Sequence, residues 1–264
     1  MIIRLVDADS GSTAEVSTFG ARVLSWQCQG RERIFMPDIG KDDPRAAPHG
    51  GVPVLFPQFG FFGNGRKHGV VRDIDWAVEK QADDFVLMHC RFENPEAFSK
   101  AEVRLRVELE RDALAMYFSV INASNTAMRF TCGLHTYLRV EDVSQVRVTG
   151  LEQSAWQDAL NGLQSVAAAK QALEGPVNVD RVYVGTPEKL TLAEALSGVS
   201  IEQTGFADTV VWNPGPELAL GLSDLGDEEW RNFLCIEAAQ ISPPVELPAW
   251  DTWYGRQRLQ IRDI

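Results

Sequence analysis

Along much of the chain apolar and polar residues alternate with the two-residue period of a strand that buries one face. "AEVSTFGARVLSWQCQGRERIFM" reads as two strands around the turn "QGRE", and "FVLMHCRFE", "AEVRLRVELERDALAMYFSVIN" and "MRFTCGLHTYLRV" supply several more. In "VRLRVELERDALAMYFSVI" the residues "RDA" connect a hairpin whose two arms alternate in register. "FVLMHC" and "LAMYFSV" are apolar on both faces, as central strands of stacked sheets are. Strand following strand at this spacing predicts an all-β fold, an antiparallel sandwich or barrel.

Other segments read differently. "SAWQDALNGLQSVAAAKQALEG" and "PEKLTLAEALSGV" are rich in helix formers, yet Gly162 and Gly198 interrupt them and a hairpin fits the second equally well, so helix and strand both stay open. One-turn helices are expected in "NPEAFSK" and "GDEEWRN", with Asn94 and Asp227 as N-caps. From Pro37 to Asp75 the pattern is irregular, full of Gly and Pro but also holding Phe56, Phe59, Phe61 and Phe62. A long structured loop of this kind against a β scaffold is usually functional. With no repeat, low-complexity tract or linker, residues 1–264 are expected to form a single domain.

Composition narrows the function. At 264 residues, 45% hydrophobic and 23% charged, the chain is expected to bury a large core. Its net charge of −12, with no Lys/Arg cluster long enough to track a phosphate backbone, argues against nucleic acid as a partner. Any cation near a candidate site works against that acidic background and carries information. The opening "MIIRLVDADSGS" breaks at Asp7, so neither a signal peptide nor a membrane span is expected, and the predicted location is cytoplasmic. Cys28, Cys90, Cys132 and Cys235 are scattered among apolar residues without a CxxC pair, which reads as reduced core thiols, with neither a disulfide framework nor a zinc site.

Two residues interrupt apolar strands with titratable groups. In "GLHTYLRV" strand alternation aims Gly133, His135 and Tyr137 at one face, where His135 is either a core histidine satisfied by a hydrogen bond or a group facing a cavity. In "NFLCIEAAQISP", Glu237 is either an ion-pair partner or a functional carboxylate, because carboxylates are almost never fully buried unpaired. Together they suggest an acid and a base facing one pocket. The loop adds Arg66, Lys67, His68 and Arg72 in "RKHGVVRD", readable as a solvated face or as a clamp for an anion or polyhydroxyl. "NVDRVYVG" supplies Asp180 and Arg181, which alone read as a surface pair. No P-loop, GxGxxG before a helix, GxSxG or HExxH occurs, so no cofactor and no metal are expected and plain acid/base chemistry remains.

Taken in order, "GGVPVLFPQFG", "KHGVVRD", "GLHTYLRV", "NVDRVYVG", "DTVVWNPG" and "NFLCIEAAQ" resemble the motifs of the aldose 1-epimerase superfamily, and most closely its glucose-6-phosphate 1-epimerase branch. The resemblance runs from about Phe19 to the end of the chain. It implies a galactose mutarotase-like β-sandwich of large antiparallel sheets and an isomerase that interconverts the α and β anomers of an aldohexose, most closely a hexose 6-phosphate. It places the acid and base at His135 and Glu237, a ligand of the sugar hydroxyls at Asp180, and His68 and Arg72 in the same pocket. Lys67, His49 and Gln58 join them as substrate-binding positions. The implied mechanism uses an ionised Glu237 and a protonated His135, the latter favoured by a carboxylate, Glu237 or Asp180, beside an imidazole that is free near ~6.5.

Two positions depart from the family pattern. His49 stands where an Arg usually precedes the "GGVPV" motif, and Lys67 where a Gln often precedes "HG". An imidazole is a weaker anion ligand than a guanidinium, and its strength depends on pH. A free-aldose 1-epimerase and a non-catalytic sugar-binding protein on the same fold are therefore the alternatives. The expected partner is a small-molecule sugar or sugar phosphate and the expected state is a monomer.

Overall fold

The hairpin read from "AEVRLRVELERDALAMYFSVIN" forms as strands Ser99–Glu110 and Ala113–Asn122, paired from Ala101 opposite Asn122 to Glu110 opposite Ala113. The computed structural model describes residues 1–43, 45–94, 99–195 and 197–262. Among these, strands Phe85–Asn94 and Ala77–Gln81 extend the hairpin on one side, and Thr252–Arg262, Gly198–Thr204, Lys189–Ala193, Arg147–Thr149 and Leu173–Glu174 on the other, in a nine-stranded sheet. An eight-stranded sheet runs Gln164–Val166, Trp156–Asp158, Val179–Tyr183, Asp208–Asn213, Phe233–Leu247, Met128–Leu134 and Val54–Leu55, with Tyr137–Arg139 also paired to Phe233–Leu247. A smaller sheet holds Ile2–Val6, Thr13–Ser17, Val23–Cys28 and Arg31–Glu32. The pairings within all three are antiparallel, as expected.

Strand Phe233–Leu247 shows how parity builds the site. Leu234, Ile236 and Ala238 enter the main core with Leu134, Leu138 and Val211, and with Val103, Leu105, Phe118 and Leu259 of the nine-stranded sheet. The alternate residues stand on the opposite face. There Ala239 and Ile241 pack with Leu55, Phe59, Val182 and Val210, and Phe233 and Cys235 pack with Phe35, Tyr137 and Leu225. Glu237 lies between these two apolar clusters on that second face, following the two-residue period. Its strand is apolar on both sides because both sides are covered.

The two ambiguous segments are strand-rich. Lys189–Ala193 and Gly198–Thr204 form a hairpin, and the buried Leu190 and Leu192, two residues apart, explain why the strand period prevails over helix propensity. In the other segment, short strands Trp156–Asp158, Gln164–Val166 and Leu173–Glu174 surround a 3-10 turn Ala159–Asn161. Gly162 follows that turn at φ 68, a left-handed conformation that ends it. "GDEEWRN" makes a 3-10 turn, Glu229–Asn232, but the cap position is Glu228 and has no side-chain cap, instead of Asp227. Glu229 serves the turn instead, accepting from the backbone N–H groups of Gly226 and Asp38. The core of "NPEAFSK", residues 95–98, lies outside the described residues. No helix among the described residues is long and apolar enough to cross a membrane.

Candidate active site

His135 sits at a break, where a continuous strand was expected. Gly133 pairs with Ala239 and Leu134 with Ala238, and pairing resumes at Tyr137 opposite Cys235. Between them the His135 N–H donates to Pro53 O at 3.0 Å, and Thr136 O accepts from Ile236 N at 3.1 Å. Thr136 turns its hydroxyl inward to Gln257, whose amide also reaches Ile236 O. This buried polar staple to the other sheet fixes the break and leaves the imidazole on the site face. There it stacks on the Tyr137 ring at 4.8 Å and meets the rings of His68 and Trp212 edge-on at 5.4 and 6.1 Å.

His135 Nδ1 lies 3.5 Å from Glu237 Oε2. The two residues are 7% and 1% exposed, and neither of these atoms has a hydrogen-bond partner in the protein. A buried acid and a buried base left facing each other in this way are placed to exchange a proton with a third group. Burial pushes the His135 imidazole well below its ordinary range, with His68, Arg72 and His49 adding to the fall. Burial pushes Glu237 well above its range, with the Asp180 carboxylate adding to the rise and Lys67 opposing it. The expected support of an imidazolium by a nearby carboxylate is thus outweighed by desolvation, which favours a neutral imidazole beside a neutral carboxyl.

Sheet register brings the other groups to this face. Asp180, Trp212, Cys235 and Tyr137 oppose one another across four strands, and the neighbouring row holds Val182, Val210 and Glu237. Burial pushes Asp180 up to about 6, Lys67 opposing and Asp158 adding. His68, at φ 63, lies between Phe59 and His135. Its Nδ1 accepts from Gly60 N at 3.3 Å, which leaves the ring proton on Nε2. Burial, with Arg72, Lys67 and His49 adding, lowers it to about 3, so it is a neutral donor.

The remaining predicted residues lie around the loop. Lys67 stands over the Phe61 ring at 5.2 Å and acts on Asp180 and Glu237 through its charge. Arg72 donates to Pro48 O at 3.2 Å. His49 stacks on Trp212 at 6.0 Å and 15°, and its Nδ1 lies 2.8 Å from Asp224 Oδ1. The Gln58 amide donates to Gly60 O and Gly65 O and accepts from Gly65 N; its polar atoms are engaged in shaping the loop.

Trp212, Asp224 and Arg22 belong to the site and were not anticipated as functional. Trp212 lay in the quoted "DTVVWNPG" motif, and a lone arginine between Ala21 and Val23 was a visible sign for Arg22. Asp224 had no such local sign. Arg22 is buried, and its guanidinium donates to the carbonyls of Ala47, His49 and Gly50; burial lowers its pKa to about 10, leaving it charged at neutral pH. Gly133 gives Phe59 room: an added Cβ would sit 2.7 Å from both Ala238 O and the Phe59 ring. Gly133→Ala is expected to destabilise the fold by about 1–3 kcal/mol, measured by denaturant unfolding, because backbone blocks one side and a packed ring the other.

Donor atoms of His135, Cys235 and Glu237 lie within 4.8 Å of one another, close enough to share a thiophilic cation. Burial opposes this by pushing the Cys235 thiol well above its ordinary range, since a metal binds the thiolate. Two other cavities, of about 500 and 1060 Å³, contain neither His135 nor Glu237; the second runs along the same loop, lined by Gln58, Arg66, Gly69 and Ile241. The first holds Arg104, Arg106 and Arg256, each paired to a glutamate, and it brings no acid and base into contact.

This arrangement can be set beside known proteins. The family model described as aldose 1-epimerase matches residues 2–260. The chain belongs to the aldose 1-epimerase family. Members of that family are isomerases. A protein of Cenchrus ciliaris, provisionally named a glucose-6-phosphate 1-epimerase, is 32% identical, with 92% of this chain and 79% of that protein covered. One from Escherichia coli with the same provisional name is 27% identical, over 84% and 78% of the two chains. A solved structure from Salmonella typhimurium, provisionally described as a mutarotase, superposes with a TM-score of 0.81 at 22% identity, covering 96% of this chain and 88% of that one. The Slr1438 protein of Synechocystis superposes at 0.84 with 16% identity, over 100% and 96%. Structural likeness at such identities shows the fold, and the galactose mutarotase-like sandwich expected from the motifs is the one observed.

Proposed function

We propose that this family member is a mutarotase acting on an aldohexose 6-phosphate, glucose 6-phosphate in the first instance, and that residues 1–264 work as one catalytic unit. The observation that carries the reading is the buried, otherwise unpartnered contact of His135 with Glu237. The pair holds one transferable proton. In ring opening, the Glu237 carboxylate takes the O1 proton and the His135 imidazolium gives one to O5. The C1–O5 bond breaks as C1=O1 forms. This leaves Glu237 protonated and His135 neutral, the form that burial favours in the empty site. The aldehyde then turns about C1–C2 and closes on its other face with the proton movements reversed.

Each positioned proton transfer contributes on the order of 10²–10⁴-fold. Asp180 and the Nε2–H of His68 are the groups we assign to sugar hydroxyls. Lys67 and Arg72 bring positive charge to an acidic protein's pocket, with His49 beside them, which supports an anionic substrate. The provisional names of the relatives point the same way.

The test is a comparison of sugars. Anomer exchange of glucose 6-phosphate, glucose and galactose is followed at equal concentrations with catalytic amounts of protein. Acceleration of glucose 6-phosphate with a KM at least ~tenfold below that of glucose is the expected result. Equal or better use of the free sugars would transfer the reading to a free-aldose epimerase, the direction in which His49 in place of the usual Arg points.

A further inference from the structure

His49 is held far more firmly than an ordinary rim histidine. Its Nδ1 lies 2.8 Å from Asp224 Oδ1, and its backbone N–H donates to Asp224 Oδ2 at 2.9 Å. Its ring lies against the Trp212 indole. The segment that carries it is clasped from behind, by Arg22 through the carbonyls of Ala47, His49 and Gly50 and by Arg72 through that of Pro48. Asp224 is buried. Burial alone would raise its pKa, but the bonds from the His49 ring and backbone outweigh this and hold the carboxyl below its usual range.

With one nitrogen committed to Asp224, the Nε2 edge is the one left for a ligand. We propose that Asp224 is a positioning residue that fixes the tautomer and rotation of His49, so that Nε2 meets the substrate's anionic group and anion binding there depends on a single proton. The proposal rests on the mutarotase reading only in identifying that group as the 6-phosphate. When His49 is protonated, Nδ1–H donates to Asp224 and Nε2–H donates to an oxygen of a tetrahedral anion. When it is neutral, Nδ1 keeps the proton and Nε2 presents a lone pair, which repels the anion. A guanidinium in the same place would donate at any pH.

The surroundings determine how the test is built. Arg22 and Arg72 act through the backbone around His49, and Arg22, lowered only to about 10, keeps its charge. His68 and His135 share the pocket, and burial lowers both, His68 to about 3 and His135 well below the ordinary imidazole range. Asp180, opposite Trp212 in the sheet, titrates at about 6 and gains negative charge in the same window. It would weaken anion binding as pH rises even if His49 were inert, so the control must keep Asp180 and remove only the imidazole.

Sulfate is the probe, since its charge is constant over the range, and calorimetry at pH 5.5 to 8.5 reads binding without any need for turnover. For the wild type, sulfate affinity is expected to fall with rising pH, approaching ~tenfold per unit where an imidazole loses its proton. His49→Arg is expected to bind at least as tightly and to keep only the shallower Asp180 response. Asp224→Asn is expected to bind more weakly at low pH and to lose most of the steep response; if this buried substitution unfolds the chain, the His49→Arg and His49→Gln profiles decide alone. A His49→Gln profile superimposable on the wild type, or an equally steep profile in His49→Arg, would overturn the proposal. A failure of catalysis with the sulfate profile intact would remove the mutarotase reading and leave the anion site standing.

Discussion

Replacing Glu237 with Gln, or His135 with Ala, is expected to slow anomer exchange of glucose 6-phosphate by on the order of 10²–10⁴-fold each. Glu237→Gln keeps the shape of the side chain and removes only its capacity to take and return the O1 proton. Because desolvation already favours a neutral group at this position, the amide should not destabilise the fold, and thermal unfolding should stay near that of the wild type. His135→Ala also removes a ring packed on Tyr137, His68 and Trp212, so some loss of stability accompanies the loss of rate. The two residues act on one proton inventory. The double variant is therefore expected to be about as slow as the slower single variant, since residues working as a unit are not additive. Optical rotation of freshly dissolved α-glucose 6-phosphate gives the rates, and retention of wild-type rate within about threefold in either single variant would remove these roles.

Arg22→Met should produce the largest loss of stability among substitutions outside the acid/base pair. The guanidinium is buried and supplies donors to three carbonyls, those of Ala47, His49 and Gly50. Methionine fills similar volume but leaves those oxygens without this donor, each a desolvation cost of about 1–3 kcal/mol in full burial. Removing one side of a buried, hydrogen-bonded charge typically costs about 3–5 kcal/mol. At this chain length that corresponds to a fall in Tm on the order of 10 °C, read by calorimetry. The same substitution frees the segment that presents His49, so sulfate affinity at low pH should fall with it. A Tm within ~2 °C of the wild type would mean that the clasp is not a supporting element.

The sandwich could be read from the chain because its strands alternate with a two-residue period over most of their length, with local register shifts, and its hairpins close through short turns. His135 and Glu237 stood out for a related reason: each is a titratable residue in a run whose other members must be apolar to cover two faces. The sequence did not reveal the break that separates strands Met128–Leu134 and Tyr137–Arg139, since it is held by Pro53, Thr136 and Gln257 from distant parts of the chain. Nor could it show the protonation preference of the pair, which follows from the depth of burial and from the placement of Asp180. Asp224 is 175 residues from His49, and no local pattern relates an aspartate in "GLSDLG" to a histidine in "APHGG". Gln58 is the opposite case, a polar residue in a conspicuous motif whose amide bonds turn back onto its own loop.

The most direct test of the acid/base account is saturation transfer between the α and β anomeric protons of glucose 6-phosphate at equilibrium, measured with and without the protein. The account predicts an exchange rate that rises in proportion to wild-type protein and returns to the uncatalysed value with Glu237→Gln. Exchange unchanged by the wild-type protein, while the sugar phosphate still binds, would contradict it and make this chain a sugar-binding relative of the epimerases.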